Sequence, residues 1–153
     1  PLAPRVLYTR PEVATVGLSI EGATRRLGPE GYRWYTIRVD REFIDRSVAE
    51  EEAPGGFVEV YIHRNGRVLG ATIVSNRAGE LVTIVAIAIR CRILVRDLAL
   101  TLHPYPSYAY TLHKVWVAAA ARNLVGTLVG SGPFGPLFLL AAAVWGRLAP
   151  RGR

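Results

Sequence analysis

The 153-residue chain has no methionine and a single cysteine, Cys91. A lone thiol excludes an intramolecular disulfide framework and any dithiol–disulfide cycle within the chain. On the apolar stretch that carries it, Cys91 is expected to be a small core residue. No glycine-rich strand–turn–helix unit is present to hold a pyrophosphate, which excludes a Rossmann-type dinucleotide site inside these residues. There is no Cys-x-x-Cys pair, and His63, His103 and His113 stand far apart in the sequence. With no carboxylate after Asp97 to accompany the later two, no metal-ligand set is expected. The absence of methionine fits a piece of a longer polypeptide, or a chain whose initiator was trimmed before Pro1. No basic-then-apolar leader opens the sequence, so a cytoplasmic location is expected.

Acid is also missing from one end. All twelve Asp and Glu lie at or before Asp97, whereas Lys114, Arg122, Arg147, Arg151 and Arg153 follow it. These cations are scattered among apolar residues and form no basic stripe with interleaved aromatics, so the net charge of +7 does not point to nucleic acid. The composition itself, half hydrophobic with 15 Gly and 10 Pro, describes a globular domain long enough to bury its own core.

The local pattern predicts an α+β fold: an antiparallel sheet with a hairpin and helices packed on it. Arg5–Thr9 and Val13–Leu18 read as short strands around Pro11, and Ser19 as the N-cap of a helix that Gly28-Pro29 stops near Leu27. Arg33–Val39 suggests a strand, and the acidic run from Glu50 to Glu52 a solvated connector. Phe57–His63 alternates, with Val58, Val60 and Ile62 on one face, and Val68–Val74 resumes after Asn65-Gly66. That spacing predicts a hairpin whose turn takes positive φ at both central residues. Leu81, Ile84, Val85, Ala88 and Ile89 recur at helical spacing, so a helix over 78–90 should lie across the hairpin. A short helix follows at Arg96–Ala99, His103-Pro104-Tyr105-Pro106 forbids helix, and Ser107 is placed to cap the next one, running through Tyr110, Lys114, Val117 and Ala121.

Residues 123–146 carry no charge, but Gly130-Ser131-Gly132-Pro133 interrupts them and leaves a continuous apolar helix only from about Pro136 to Trp145. A stretch that short suits a packed or interfacial helix better than a membrane span. Arg147, Arg151 and Arg153 beyond it suit anionic lipid or water equally, so membrane-surface contact by the tail stays open.

Several blocks resemble one known family. Arg5-Val6-Leu7-Tyr8-Thr9-Arg10-Pro11-Glu12-Val13-Ala14-Thr15-Val16-Gly17-Leu18 is similar to the opening of the C-terminal dimerisation domain of the pyridine nucleotide-disulfide oxidoreductases, which include dihydrolipoamide dehydrogenase, glutathione reductase and mercuric reductase. Asp45–Glu50, Gly56–Val60, Gly66–Val74, Ala78–Leu81, Arg96–Ala99 and His103–Ser107 continue the likeness in order. The resemblance makes residues 1–126 the dimerisation domain and 127–153 an apolar Gly/Pro-containing tail. It implies a homodimer, with FAD and NAD(P)H held by domains absent from this chain and none bound by the chain alone.

The family's segment carries a His followed by Pro-Thr and, five residues after the His, a Glu, which act as an acid–base dyad in the partner's active site. Anchored on Pro106-Ser107, which the resemblance sets near the partner's flavin, Tyr105 takes the histidine position and Tyr110 the glutamate position. His103 lies two residues too early. A phenol loses its proton at about pH 10 and an imidazolium at about 6.5, so a tyrosine there can donate a hydrogen bond but does not shuttle protons at neutral pH. Tyrosine at this place is similar to the mercuric reductase pattern. Two readings follow for Tyr105, Tyr108 and Tyr110, catalysis in the partner's site or an aromatic interface. The implied function is the interface domain of a mercuric reductase-like enzyme. The alternatives are an orphan homodimerisation module and a peripheral membrane-associated protein. A further departure is Arg92, where relatives place a helix-ending glycine.

Overall fold

A computed structural model of the chain describes residues 3–31, 33–43, 45–50 and 56–131. The chain divides into two compact units, Pro1–Ala120 and Ala121–Arg153. In the first, strands β1 (Arg5–Leu7) and β2 (Glu12–Gly17) flank a cis Arg10-Pro11 bond, and helix α1 (Ile20–Leu27) follows. Ser19 caps that helix as expected, its Oγ accepting the Gly22 N–H at 3.1 Å. Gly28, at φ 85°, ends it with its N–H on the Thr24 carbonyl.

Strand β3 (Trp34–Asp40) leads through a 3-10 turn at Arg41–Phe43 into a short helix α2 (Asp45–Ala49), which the sequence pattern did not indicate. The β4 (Phe57–His63) and β5 (Val68–Ser75) hairpin comes next. Helices α3 (Ala78–Arg90), α4 (Val95–Ala99) and α5 (Ala109–Ser131) complete the described elements. The strands form one antiparallel sheet in the order β1-β2-β5-β4-β3. The expected α+β fold is therefore the observed one.

Inward-facing Val58, Val60, Ile62, Ala71 and Ile73 share a core with Leu81, Val82, Val85 and Ala88 of α3. Leu112, Val115, Trp116 and Ala119 of α5 join the same core, and the Tyr35 hydroxyl donates to the Ala119 carbonyl at 3.0 Å. Each buried Val, Leu or Ile among these contributes about 1.5–3 kcal/mol by leaving water. Alternation puts Trp34 and Tyr61 into a second, smaller cluster with Ala23 of α1, their rings meeting edge-on at 6.2 Å.

The hairpin turn differs from expectation. Only Gly66 has positive φ (87°), and its N–H reaches the His63 carbonyl at 2.8 Å. Asn65 accepts from the Arg67 N–H through Oδ1, and its own N–H binds His63 Nδ1, both at 3.1 Å. These bonds hold Asn65 at negative φ and produce a three-residue loop with one left-handed glycine. Pairing then slips, Tyr61 facing Gly70 and Ile62 facing Val68, so Leu69 bulges and its carbonyl accepts the Leu18 N–H.

Cys91 is exposed, against the expectation of a core residue. The last buried position of α3 is Ala88, and Cys91 already occupies the C-cap, beyond the apolar face. Arg92 then adopts φ 55°, the only positive φ outside glycine among the described residues. Its N–H bonds the Ile89 carbonyl and that of Ile93 bonds the Ala88 carbonyl, which is a Schellman ending built on arginine.

Helix α5 passes residue 126 and ends at Ser131. No helix among the described residues is long and apolar enough to cross a membrane. The Pro136–Trp145 stretch and the tail arginines fall outside the described residues.

Candidate functional site

The segment that carries the family-like tyrosines leaves α4 at Leu100 and enters α5 at Ala109. Thr101 closes α4 with its N–H on the Leu98 carbonyl and its hydroxyl on the Asp97 carbonyl. The prolines then keep the backbone out of helix, it bends at residues 105–108, and the Tyr105-Pro106 bond is cis. Ser107 acts at both ends of its turn, donating to the Pro104 carbonyl at 2.6 Å and accepting the Tyr110 N–H at 3.1 Å. Its expected capping role is thus present, within the first turn of α5.

Along this path apolar side chains point into water. Leu100 is 83% exposed, Leu102 92% and Tyr105 66%. Tyr105 and Tyr110 pack edge-on with ring centroids 5.1 Å apart. Tyr110 lies against His113 at 5.4 Å, and His113 against His103 at 5.5 Å. The helix thus gathers into one row of rings four side chains that the sequence spreads over several turns. Among the described residues no carboxylate orients His103, whose Nδ1 binds the Thr101 carbonyl at 2.9 Å.

Two polar links fix the segment against α2. The Tyr108 hydroxyl donates to Glu50 Oε2 at 2.7 Å, and Glu50 Oε1 accepts from Arg46 Nε at 2.6 Å. Tyr108 and then Arg46 hold the Glu50 carboxyl below its ordinary range. Lys114 reaches back to Asp45 at 3.0 Å and to the Phe43 carbonyl at 2.7 Å. Glu50, exposed as expected of the connector it opens, is thus also tied to a distant tyrosine. Its partner lies 58 residues away, a separation that no local pattern reveals; the adjacent Glu51 to Gly55 fall outside the described residues. Between these elements runs a groove of about 360 Å³ lined by Arg46, Glu50, Arg77, Ile84, Pro106 and Tyr108 among others.

The described residues do not fit a dinucleotide. Every ladder in the sheet is antiparallel, so the parallel strand–turn–helix unit that presents a helix N-terminus to a pyrophosphate does not occur among them. The two helices entered directly from strands are already occupied at their N-termini. Glu12 Oε2 accepts the Gly79 N–H at the start of α3 at 2.9 Å. Glu21 stands in the first turn of α1, its carboxyl lowered by its own backbone N–H and by Ser19.

Against known proteins, a family described as pyridine nucleotide-disulphide oxidoreductase, dimerisation domain, matches residues 3–115. A mercuric reductase from Lysinibacillus sphaericus is 34% identical over 108 residues, covering 71% of this chain and 19% of that protein. A dihydrolipoyl dehydrogenase from Synechocystis is 32% identical over 117 residues, covering 76% of this chain and 24% of that protein. The crystal structure of LpdA from Mycobacterium tuberculosis superposes with a TM-score of 0.68 at 30% identity, over 76% of this chain and 25% of that one. The chain thus spans about a quarter or less of the length of these relatives. A match over residues 3–115, together with the shared antiparallel sheet and its helices, makes the chain a member of the dimerisation-domain family of the pyridine nucleotide-disulphide oxidoreductases.

Proposed function

We propose that this chain is the interface domain of a FAD-dependent pyridine nucleotide-disulfide oxidoreductase of the mercuric reductase-like kind, forming a homodimer and lending its Leu100–Tyr110 segment to the partner's active site. The observation that carries the reading is the apolar edge of that segment, with Leu100, Leu102 and Tyr105 all exposed while the adjoining backbone is anchored by Thr101, Ser107, Glu50 and Lys114. A side chain as large as leucine left in water on an anchored support favours a second surface that removes it from water.

Tyr105 and Tyr110 occupy the places that a histidine and a glutamate take in the family's dyad, and they meet as a pair of packed rings. Such a pair supplies contact area and two hydroxyl donors, not a base. Pro106 and Ser107 sit beside the partner's flavin in this reading, with Ser107 shaping the turn. FAD and NAD(P)H belong to domains outside this chain.

Replacing the dimerisation domain of a mercuric reductase with this chain tests the reading. A dimeric, flavin-loaded hybrid that oxidises NAD(P)H with an acceptor supports it. A dimeric but inert hybrid reduces the role to dimerisation, and a monomeric hybrid refutes it.

A further inference from the structure

We propose that His103 and His113 form a two-imidazole binding site for a divalent late first-row transition-metal ion, with Cu(II) held most tightly. Their ring centroids lie 5.5 Å apart with the planes tilted by 42°. Two imidazoles bound to one ion at about 2.0–2.1 Å place their centroids roughly 4.5–5.5 Å apart for ligand–metal–ligand angles of about 90–120°. The pair therefore stands at the wide end of chelating separation.

Hydrogen bonding prepares each ring. A carbonyl oxygen only accepts, so the 2.9 Å contact of His103 Nδ1 with the Thr101 carbonyl makes Nδ1 the donor. In the neutral ring that leaves the lone pair on Nε2. Donation of the non-ligating N–H to a backbone carbonyl is also the usual support behind a metal-bound histidine. On the other ring, His113 Nδ1 is buried without any hydrogen-bond partner. An orphaned buried nitrogen costs about 1–3 kcal/mol, and an ion accepting its lone pair removes that cost.

The surroundings set the ion class. Tyr110 packs against His113 at 5.4 Å, and the nearby cation, Lys114, is engaged by Asp45 and the Phe43 carbonyl. No group of three or more His, Cys, Asp and Glu that could hold a metal occurs among the described residues. A neutral donor set of two imidazoles completed by water disfavours Mg²⁺ and Ca²⁺ and follows the order that peaks at copper. The ten-residue separation of the histidines concealed the pair, because they meet only when the proline segment folds back along the first turns of α5.

The test is titration of the full 153-residue chain with copper(II) chloride, followed by pulsed electron paramagnetic resonance to count coordinated imidazoles. One ion bound by two imidazoles is expected. His103→Asn and His113→Ala should each leave one imidazole and weaken binding at least tenfold, and His63→Ala should change neither. His103 lies outside any helix, so His103→Asn keeps the fold and decides the matter even if His113→Ala unfolds. A single imidazole in the unmodified chain, or copper held as tightly in His103→Asn, as at the chain's amino terminus, would overturn the proposal.

Discussion

Tyr105 meets Tyr110 edge-on, with 5.1 Å between ring centroids and 76° between planes, and the outer of the two rings is two-thirds exposed. The contact fills one side of Tyr105 and leaves the other for a partner. Loss of the hydroxyl alone, in Tyr105→Phe, keeps both contacts, so turnover of a hybrid enzyme should change less than twofold. Tyr105→Ala removes the ring and should weaken the dimer by about 2–4 kcal/mol, the range of an aromatic hot spot. A tenfold fall in turnover for Tyr105→Phe at unchanged dimer affinity would make the phenol a catalytic residue.

Arg92 occupies left-handed backbone at φ 55°. Glycine accepts that geometry without the Cβ contact that burdens arginine. Arg92→Gly should therefore raise unfolding stability by about 0.5–1 kcal/mol in urea denaturation, even though glycine loosens the unfolded chain. A drop in stability would show that the arginine side chain contributes more than its backbone costs.

Two glycines should respond in opposite directions to alanine. At Gly70 a Cβ would clash with the Leu18 carbonyl oxygen and stand only 2.7 Å from the Leu18 nitrogen and 2.8 Å from the Val16 carbonyl oxygen. All three are backbone atoms, so Gly70→Ala should cost about 3 kcal/mol or more. At Gly22, inside α1, the nearest atom is the Ser19 hydroxyl at 3.5 Å. Gly22→Ala should stabilise by up to about 1 kcal/mol through helix propensity. Thermal unfolding of the two variants against the unmodified chain checks both signs.

Local chemistry made much of the fold legible. Ser19, Gly28 and Ser107 act within a few residues of themselves, and the alternation of Val58, Val60 and Ile62 reports which face of β4 is dry. What escaped depends on distant partners or on competing side chains. Asn65 lost its expected left-handed conformation to its own bonds with Arg67 and His63. Cys91 lies beyond the end of the buried face, a boundary that periodicity places poorly. The links Glu50–Tyr108 and Asp45–Lys114, and the His103–His113 contact, join residues that only the folded chain brings together.

Tyr61 supplies a pH dependence. Burial pushes its phenol up to about 12; the bond to Thr72 works against the shift and the neighbouring Glu59 carboxylate adds to it. In the unfolded chain the same phenol ionises at about 10. Between those two values the unfolded state releases a proton that the folded state retains, so stability falls as pH rises through the window. Tyr61→Phe should show a shallower decline from pH 10 to 12 in unfolding experiments. An equal slope in both proteins would mean that the phenol ionises in the fold as it does in water.

Sedimentation equilibrium of the isolated chain at micromolar concentration tests the central claim most directly. The exposed Leu100, Leu102 and Tyr105 edge predicts a two-fold assembly of the 16.8 kDa chain, weakened in Tyr105→Ala. A strict monomer up to high concentration would contradict the account.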